Sequence, residues 1–277
     1  MRTTVPQILE MARRGERLVV ITAYDYPTAR IVDSCNVPII LVGDSLGNNM
    51  LGYESTIPVT MDEMIHHTAA VVRGTQHALV IGDMPFMSYQ AGEDDAIRNA
   101  GRFLKEAHCQ AVKLEGGAAV AGILRRLVQF GIPVMGHIGL TPQSLNAIGG
   151  YRVQGRTVDQ ARRLLEDALA IEEAGAFAIV LEYVASPVAK LITERLTIPT
   201  IGIGAGPYCD GQVQVIHDVL GLFPDLHLKH ARRYAEVGEV IRNAIGSYRD
   251  DVLEGTFPGA NESFSMKPED EVELARL

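Results

Sequence analysis

Short runs of apolar and β-branched residues recur along the chain at fairly even intervals: RLVVITAYD (17–25), VPIILVGDS (37–45), HALVIGDMP (77–85) and QAVKLEGG (110–117). The series continues with IPVMGHIGL (132–140), AFAIVLEYV (176–184), IPTIGIGAG (198–206) and VQVIHDVLG (213–221). Runs this short and this apolar predict strands covered on both faces. The stretches between them have helical character. TMDEMIHHTAAVVRGT opens on a Thr60-x-x-Glu63 capping box and TVDQARRLLEDALAIEEAGA on Thr157-x-x-Gln160, and SPVAKLITERL offers Ser186 as N-cap ahead of Pro187. Thr4 before Val5-Pro6 predicts a further short helix, PQILEMARRG, ahead of the first strand.

Strands alternating with helices at this spacing predict parallel βαβ units, and eight of them predict a (β/α)8 barrel, with a doubly wound open sheet as the fallback. The eighth run is the weakest strand, because QVQVIHDVLG could equally start a helix. After Gly255 the chain turns polar and acidic. The expected organisation is one barrel domain over 1–260, including the short N-terminal helix, and a tail over 261–277 that is poorly ordered or bound to a partner.

Composition narrows the function classes. Hydrophobic residues make up 47% and charged residues 21%, enough apolar material for a large core. A net charge of −9 argues against a phosphate-backbone footprint, so nucleic acid is not an expected partner. Cys35, Cys109 and Cys209 lack the spacing of a zinc site or a disulfide framework, which fits a reduced cytoplasmic setting. Neither a signal-peptide pattern nor 18 uninterrupted apolar residues is found, so no membrane association is expected.

In barrels of this kind the active site gathers at the carboxyl ends of the strands. The residues there are unusual: Asp25 closes the first run, Asp44-Ser45 the second, Asp83 the third, Lys113-x-Glu115 the fourth, His137 the fifth and Glu182 the sixth. For a single member a plain structural role competes, since an Asp at a strand end often caps the next helix, and AYDYPTAR puts Asp25 just before a helix start. As a set, several carboxylates at one mouth repel one another unless a cation sits among them. All-oxygen ligands favour Mg2+, with Mn2+ as a substitute. His66-His67, adjacent within a helix, are read as structural.

Lys113 and Glu115 are two apart on a strand and share a face, where the lysine could hold an anionic substrate group or pair structurally with the glutamate. His137 could donate a hydrogen bond to a substrate oxygen. Glu182, following the apolar AFAIVL, is expected to have its pKa raised by desolvation, as suits a general base next to a metal-polarised carbonyl. The glycine run GIGAG (202–206) fits either a phosphate site or a tight turn.

ITAYDY, LVGDSLG, STIPVTMDEM, DMPFMSY, VKLEGG, GHIGLTPQS, GGYRVQGR, LEYV and IGIGAG, in this order, resemble the 3-methyl-2-oxobutanoate hydroxymethyltransferase (ketopantoate hydroxymethyltransferase) family over about Leu18 to Gly259. The resemblance implies a (β/α)8 barrel of the phosphoenolpyruvate/pyruvate superfamily. It also implies transfer of a one-carbon unit from 5,10-methylenetetrahydrofolate to 3-methyl-2-oxobutanoate, giving 2-dehydropantoate in pantothenate synthesis. Carried over motif by motif, Asp44 and Asp83 would be Mg2+ ligands, with Glu115 completing the site through water. Ser45, Lys113 and His137 would contact the oxo acid beside Asp44 and Asp83, and Glu182 would accept the proton. The family's homodecamers imply a homo-oligomer. Asp25 gains no chemical role from the resemblance, and the tail from Asn261 lies outside it.

Two other readings remain open on sequence grounds. A Mg2+-dependent oxo-acid lyase or mutase of the same superfamily would use the same platform without folate. A binding or scaffold barrel would have strand ends that are polar but not jointly acidic. GGYRVQGR, long and flanked by glycine, is expected to form a mobile loop over the site.

Overall fold

Alternation within each apolar run decides which side chains face inward. On β3 (Leu79–Asp83) Leu79 and Ile81 point into the interior, while Val80 points out toward the helices. On β4 (Ala111–Glu115) Ala111 points in, and Val112 and Leu114 point out. A period of two therefore carries Asp83, Lys113 and Glu115 inward as well. The same parity on β5 (Val134–Gly139) and β6 (Ala178–Glu182) sends Met135 and then His137, and Val180 and then Glu182, to the interior.

The structure is a computed structural model that describes residues 2–226 and 228–277. With β1 (Leu18–Thr22), β2 (Ile39–Val42), β7 (Thr200–Ile203) and β8 (Gly211–Gln214), these strands close a barrel in chain order, every pair parallel. Its floor is apolar: Leu18, Val20, Ile39, Leu79, Ala111, Ala178, Ile201 and Val213 fill the interior. Ile8 of α1 (Val5–Arg13) joins them, which explains the helix before the first strand. The eighth apolar run holds both alternatives read from it, a short strand and then α10 (Ile216–Leu220).

The outer layer is built from α2 (Tyr26–Ser34), α4 (Met61–Gly74) after the single turn α3 (Leu46–Asn49), α5 (Glu93–Lys105) and α6 (Ala121–Gln129). It continues with the single turn α7 (Leu145–Ile148), α8 (Val158–Glu173) and α9 (Ser186–Arg195). Close packing sets local sequence here. Gly82 faces outward against the Phe103 ring of α5, and a Cβ at that position would overlap the ring. Asp33 of α2 accepts from the backbone N–H groups of Gln76, His77 and Ala78 and so ties α2 to the start of β3.

Three capping details refine the sequence reading. Thr60 and Glu63 form the full reciprocal box. Thr157 accepts from Gln160 N at 3.3 Å, but the Gln160 side chain reaches back to Arg156 N instead of closing the box. At α9 the helix begins with Ser186 itself, one residue earlier than expected, and Ala185 is the N-cap.

The β7–β8 crossover has no helix. Residues 204–210 return directly to the barrel floor, with Gly204 and Gly206 at φ +63° and +84°, and a Cβ on Gly206 would overlap Ser186 Oγ. Gly204 and Gly206 of GIGAG thus serve the turn, while Gly202 lies within β7. The close return also leaves part of the outer wall uncovered, where Val19 of β1 is 51% exposed.

α11 (Val237–Glu254) has no buried residue. It exposes Ile241, Ile245, Tyr248 and Val252, spaced as one helical stripe. The tail carries a short helix, α12 (Pro268–Leu274), which is exposed throughout. Among the described residues no helix is long and apolar enough to cross a membrane.

Candidate active site

Strand register brings the polar inward residues together at the upper end of the barrel. Asp83 lies beside Lys113, Glu115 beside His137, and Gly139 beside Glu182. Lys113 Nζ is 2.7 Å from Asp83 Oδ1 and 3.2 Å from His137 Nδ1. His137 lies between two carboxylates: Nδ1 is 3.4 Å from Glu115 Oε1 and Nε2 is 3.4 Å from Glu182 Oε2. Asp44 is in the turn after β2, off the inward parity, and its backbone N donates to Asp83 Oδ2 at 3.1 Å. These residues line one cavity of about 490 Å3, with Ser45, Asn48, Tyr151, Tyr183, Asp218 and His230 around it.

Asp44, Asp83, Lys113, Glu115 and His137 are each buried to 5% exposure or less, so their charges must answer one another. Burial raises the Asp44 carboxyl well above the usual range, and the charges of Asp83 and Glu115 raise it further. Burial also raises Asp83, partly offset by Lys113. Burial alone would discharge Lys113, but Asp83, Glu115 and Asp44 outweigh it and hold the ammonium charged. For Glu115 burial is outweighed by His137, Lys113 and the Gln143 N–H, and its carboxyl falls below the usual value. His137 is opposed by burial and by Lys113, yet Glu115 and Glu182 raise it to about 9. Glu182 is the most open member of the group, its side chain 16% exposed.

Most of the candidates from the sequence meet here, and Asp25 does not. Its carboxylate accepts from Thr28 N at 2.8 Å and from Thr28 Oγ1 at 2.9 Å, capping α2, so its charge is satisfied locally, and it does not line the cavity. Ser45 lines the cavity with its Oγ 2.9 Å from the Tyr24 hydroxyl. His67 is structural, with Nδ1 on Tyr24 O at 2.6 Å, and His66 is exposed. Within GGYRVQGR, Tyr151 reaches the cavity wall and Gln154 N donates to Tyr183 O at 2.7 Å.

Sequence reasoning missed Gln143 and Tyr89. A 3-10 turn at Pro142–Ser144 directs Gln143 into the cluster, where its Nε2 donates to Asp44 Oδ2 at 2.9 Å and its backbone N to Glu115 Oε2 at 3.1 Å. The Tyr89 hydroxyl is 2.8 Å from Gln143 Oε1 and accepts from Glu115 N at 3.1 Å. Both lie in motifs quoted above, but a neutral amide in a loop carries no signal until its partners are known.

The donor set suits a hard cation. Asp44 and Asp83 bring carboxylates from adjacent strand ends, and Asp44 Oδ1 has no hydrogen-bond donor among the described residues. Among those residues no three His, Cys, Asp or Glu side chains are already gathered as a closed ligand cluster. Two carboxylates with the remaining positions left to substrate oxygens and water is how Mg2+ is ordinarily held.

Comparison with known proteins bears on which chemistry this platform serves. The model of the ketopantoate hydroxymethyltransferase family matches residues 2–260. The chain belongs to the ketopantoate hydroxymethyltransferase family. It is 60% identical over 268 residues to the 3-methyl-2-oxobutanoate hydroxymethyltransferase of Chloroflexus aurantiacus, covering 97% of this chain and 95% of that one. Among solved structures, a 2,3-dimethylmalate lyase of the PEP mutase/isocitrate lyase superfamily shares the fold at TM-score 0.59 and 16% identity, covering 99% of this chain and 95% of the other. A phosphonopyruvate hydrolase solved with oxalate and Mg2+ does so at TM-score 0.56 and 14% identity, covering 94% and 93%. In this family member the strand-end residues Asp44, Asp83, Lys113, Glu115 and His137 form a single buried cluster, with Glu182 at its more open side and Asp25 outside it.

Proposed function

We propose that this chain transfers the one-carbon unit of 5,10-methylenetetrahydrofolate to 3-methyl-2-oxobutanoate, giving 2-dehydropantoate for pantothenate synthesis. The observation that carries the reading is the position of Glu182. It stands across His137 from the Asp44, Asp83, Lys113 and Glu115 cluster, at the open side of the cavity. This supports reading Glu182 as a base beside a platform for a 2-oxo acid.

Asp44 and Asp83 would hold Mg2+, or Mn2+ in its place, with Glu115 acting through water. When bound, the metal supplies Lewis-acid stabilisation of negative charge on the oxo acid's keto oxygen. Lys113, charged and buried, attracts the substrate carboxylate. Ser45 offers a hydroxyl, and His137, protonated near neutral pH, donates from Nε2 toward the mouth. Glu182 takes the proton from C3, the weak carbon acid next to the keto group. The electron pair left at C3 then forms a bond to the methylene carbon of the folate-derived iminium as the C=N pair passes to nitrogen. Cleavage of the remaining C–N bond releases tetrahydrofolate, and water adds its hydroxyl to that carbon and its proton to the departing nitrogen. A positioned base of this kind contributes about 10²- to 10⁴-fold to rate. Tyr151 and Tyr183 extend the wall at the mouth, and the segment 149–156 would close over the bound substrates.

A homo-oligomer, by family resemblance a homodecamer, accords with the apolar stripe that α11 exposes. The enzyme would work in the cytoplasm. The decisive experiment incubates the protein with 3-methyl-2-oxobutanoate in D2O, with and without Mg2+, and then adds methylenetetrahydrofolate. Mg2+-dependent exchange at C3 followed by 2-dehydropantoate is expected, with exchange abolished in Glu182→Gln although substrate still binds. Product formed without folate would favour a lyase or mutase, and retained exchange in Glu182→Gln would exclude it as the base.

A further inference from the structure

Gln143 is buried at 4% exposure and touches two members of the acidic cluster, Asp44 and Glu115. Its Nε2 donates to Asp44 Oδ2 and to Met84 O, each at 2.9 Å. Its Oε1 faces two donors, the Tyr89 hydroxyl at 2.8 Å and Gln90 Nε2 at 3.3 Å. Its backbone N donates to Glu115 Oε2 at 3.1 Å. With Asp44 ionised this orientation satisfies the amide best, although the Tyr89 hydroxyl can also donate to Glu115 O at 3.0 Å. If it were turned over, its oxygen would face a carboxylate and a carbonyl, and its NH2 would face the NH2 of Gln90.

We infer that Gln143 is a positioning residue that selects which carboxylate oxygens a divalent cation can use. It engages Oδ2 of Asp44 and leaves Oδ1 without a donor among the described residues. In the same way its N–H engages Oε2 of Glu115 and leaves Oε1 to His137. A glutamine suits this task because it is neutral: a lysine would compete with the cation, and a glutamate would repel Asp44. Tyr89, held between Glu115 N and Gln143 Oε1, fixes the amide from behind. The inference rests on the metal site of the proposed function.

The test is Mn2+ affinity of the full-length protein, read by loss of the free-ion EPR signal, alongside thermal unfolding in chelator. Gln143→Met keeps the side-chain length and the backbone N–H but removes the amide, and should bind Mn2+ about tenfold more weakly, the lower end of what loss of an outer-shell partner does. Tyr89→Phe should weaken it about threefold, because the amide survives but Oε1 loses the nearer of its two donors. A purely structural role would lower the melting temperature and leave the Mn2+ affinity of the folded variant unchanged. Affinity within twofold of the unsubstituted protein therefore overturns the inference, and if Gln143→Met does not fold, Tyr89→Phe decides by the same criterion. If Asp83→Asn binds Mn2+ as tightly as the unsubstituted protein, the metal-site reading itself falls, and this inference with it.

Discussion

Removing the ammonium from the acidic cluster should change stability and metal response in opposite directions. Lys113→Met replaces a buried cation with an apolar chain of similar length, leaving Asp83 Oδ1 without the charge now 2.7 Å away. Asp44, Asp83 and Glu115 are then balanced by His137 alone. Deleting one partner of a buried pair costs about 3 to 5 kcal/mol, because the other charge stays buried and uncompensated. At about 2 °C per kcal/mol for a chain of this size, the melting temperature in chelator should fall by about 6 to 10 °C. The loss should be largest at alkaline pH. Burial raises the carboxyls of Asp44 and Asp83, so their ionisation is the costly step. The destabilisation is absent below the ordinary carboxylate value and grows as pH rises through the raised folded value. Divalent cation should then rescue the variant more than the unsubstituted protein, since the competing ammonium is gone. At a hundredfold excess over its dissociation constant, a ligand stabilises by about 2.7 kcal/mol. Calorimetric melts in chelator and in saturating Mg2+ measure both effects. Equal melting temperatures in chelator would refute the charge argument, and equal gains from Mg2+ would refute the placement of the cation beside Lys113.

Two further substitutions separate the site from the scaffold. Asp83→Asn should weaken Mg2+ and oxo-acid binding together in isothermal titration, and unchanged metal affinity would count against its ligand role. Away from the site, burial tends to raise the Asp33 carboxyl, but the backbone N–H groups of Gln76, Ala78 and His77 outweigh it and hold the group below its ordinary value. A lowered folded value means that its stabilisation is present above the unfolded pKa and lost as pH falls through the folded one. Asp33→Asn should therefore cost about 1 to 3 kcal/mol at neutral pH. In urea melts from pH 7 down to pH 3 that gap should narrow, and a gap that persisted in acid would assign the effect to shape instead of charge.

Much of the architecture is legible in the chain because the barrel reads sequence with a period of two. Once a run such as LVIGD is taken as a strand, the inward parity of Leu79 and Ile81 carries Asp83 with it. Neighbouring register then brings the polar ends into one cavity. What local pattern does not specify depends on distant partners. Asp25 has the same strand-end position as the others, and only the Thr28 N–H and hydroxyl decide that it caps a helix. Gln143 acquires its role from Asp44, Glu115 and Tyr89, all remote in sequence. Between β7 and β8 a short return, which Gly204 and Gly206 permit without requiring, stands where the barrel's other strands are followed by helices. Asp44 shows the same division: its place at the end of an apolar strand is legible in IILVGDS, whereas its link through the backbone to Asp83 is not.

The contact between Gly82 and Phe103 has a consequence for how this site can be inherited. Asp83 is placed by a strand whose preceding residue has no side chain because an aromatic ring from α5 occupies the space. Any larger residue at 82 must either push β3 inward, carrying Asp83 toward Lys113, or be matched by a smaller residue at 103. Positions 82 and 103 should therefore vary as a pair among relatives that keep the acidic cluster. A helix residue that never meets substrate thus limits which sequences can hold the carboxylate in place.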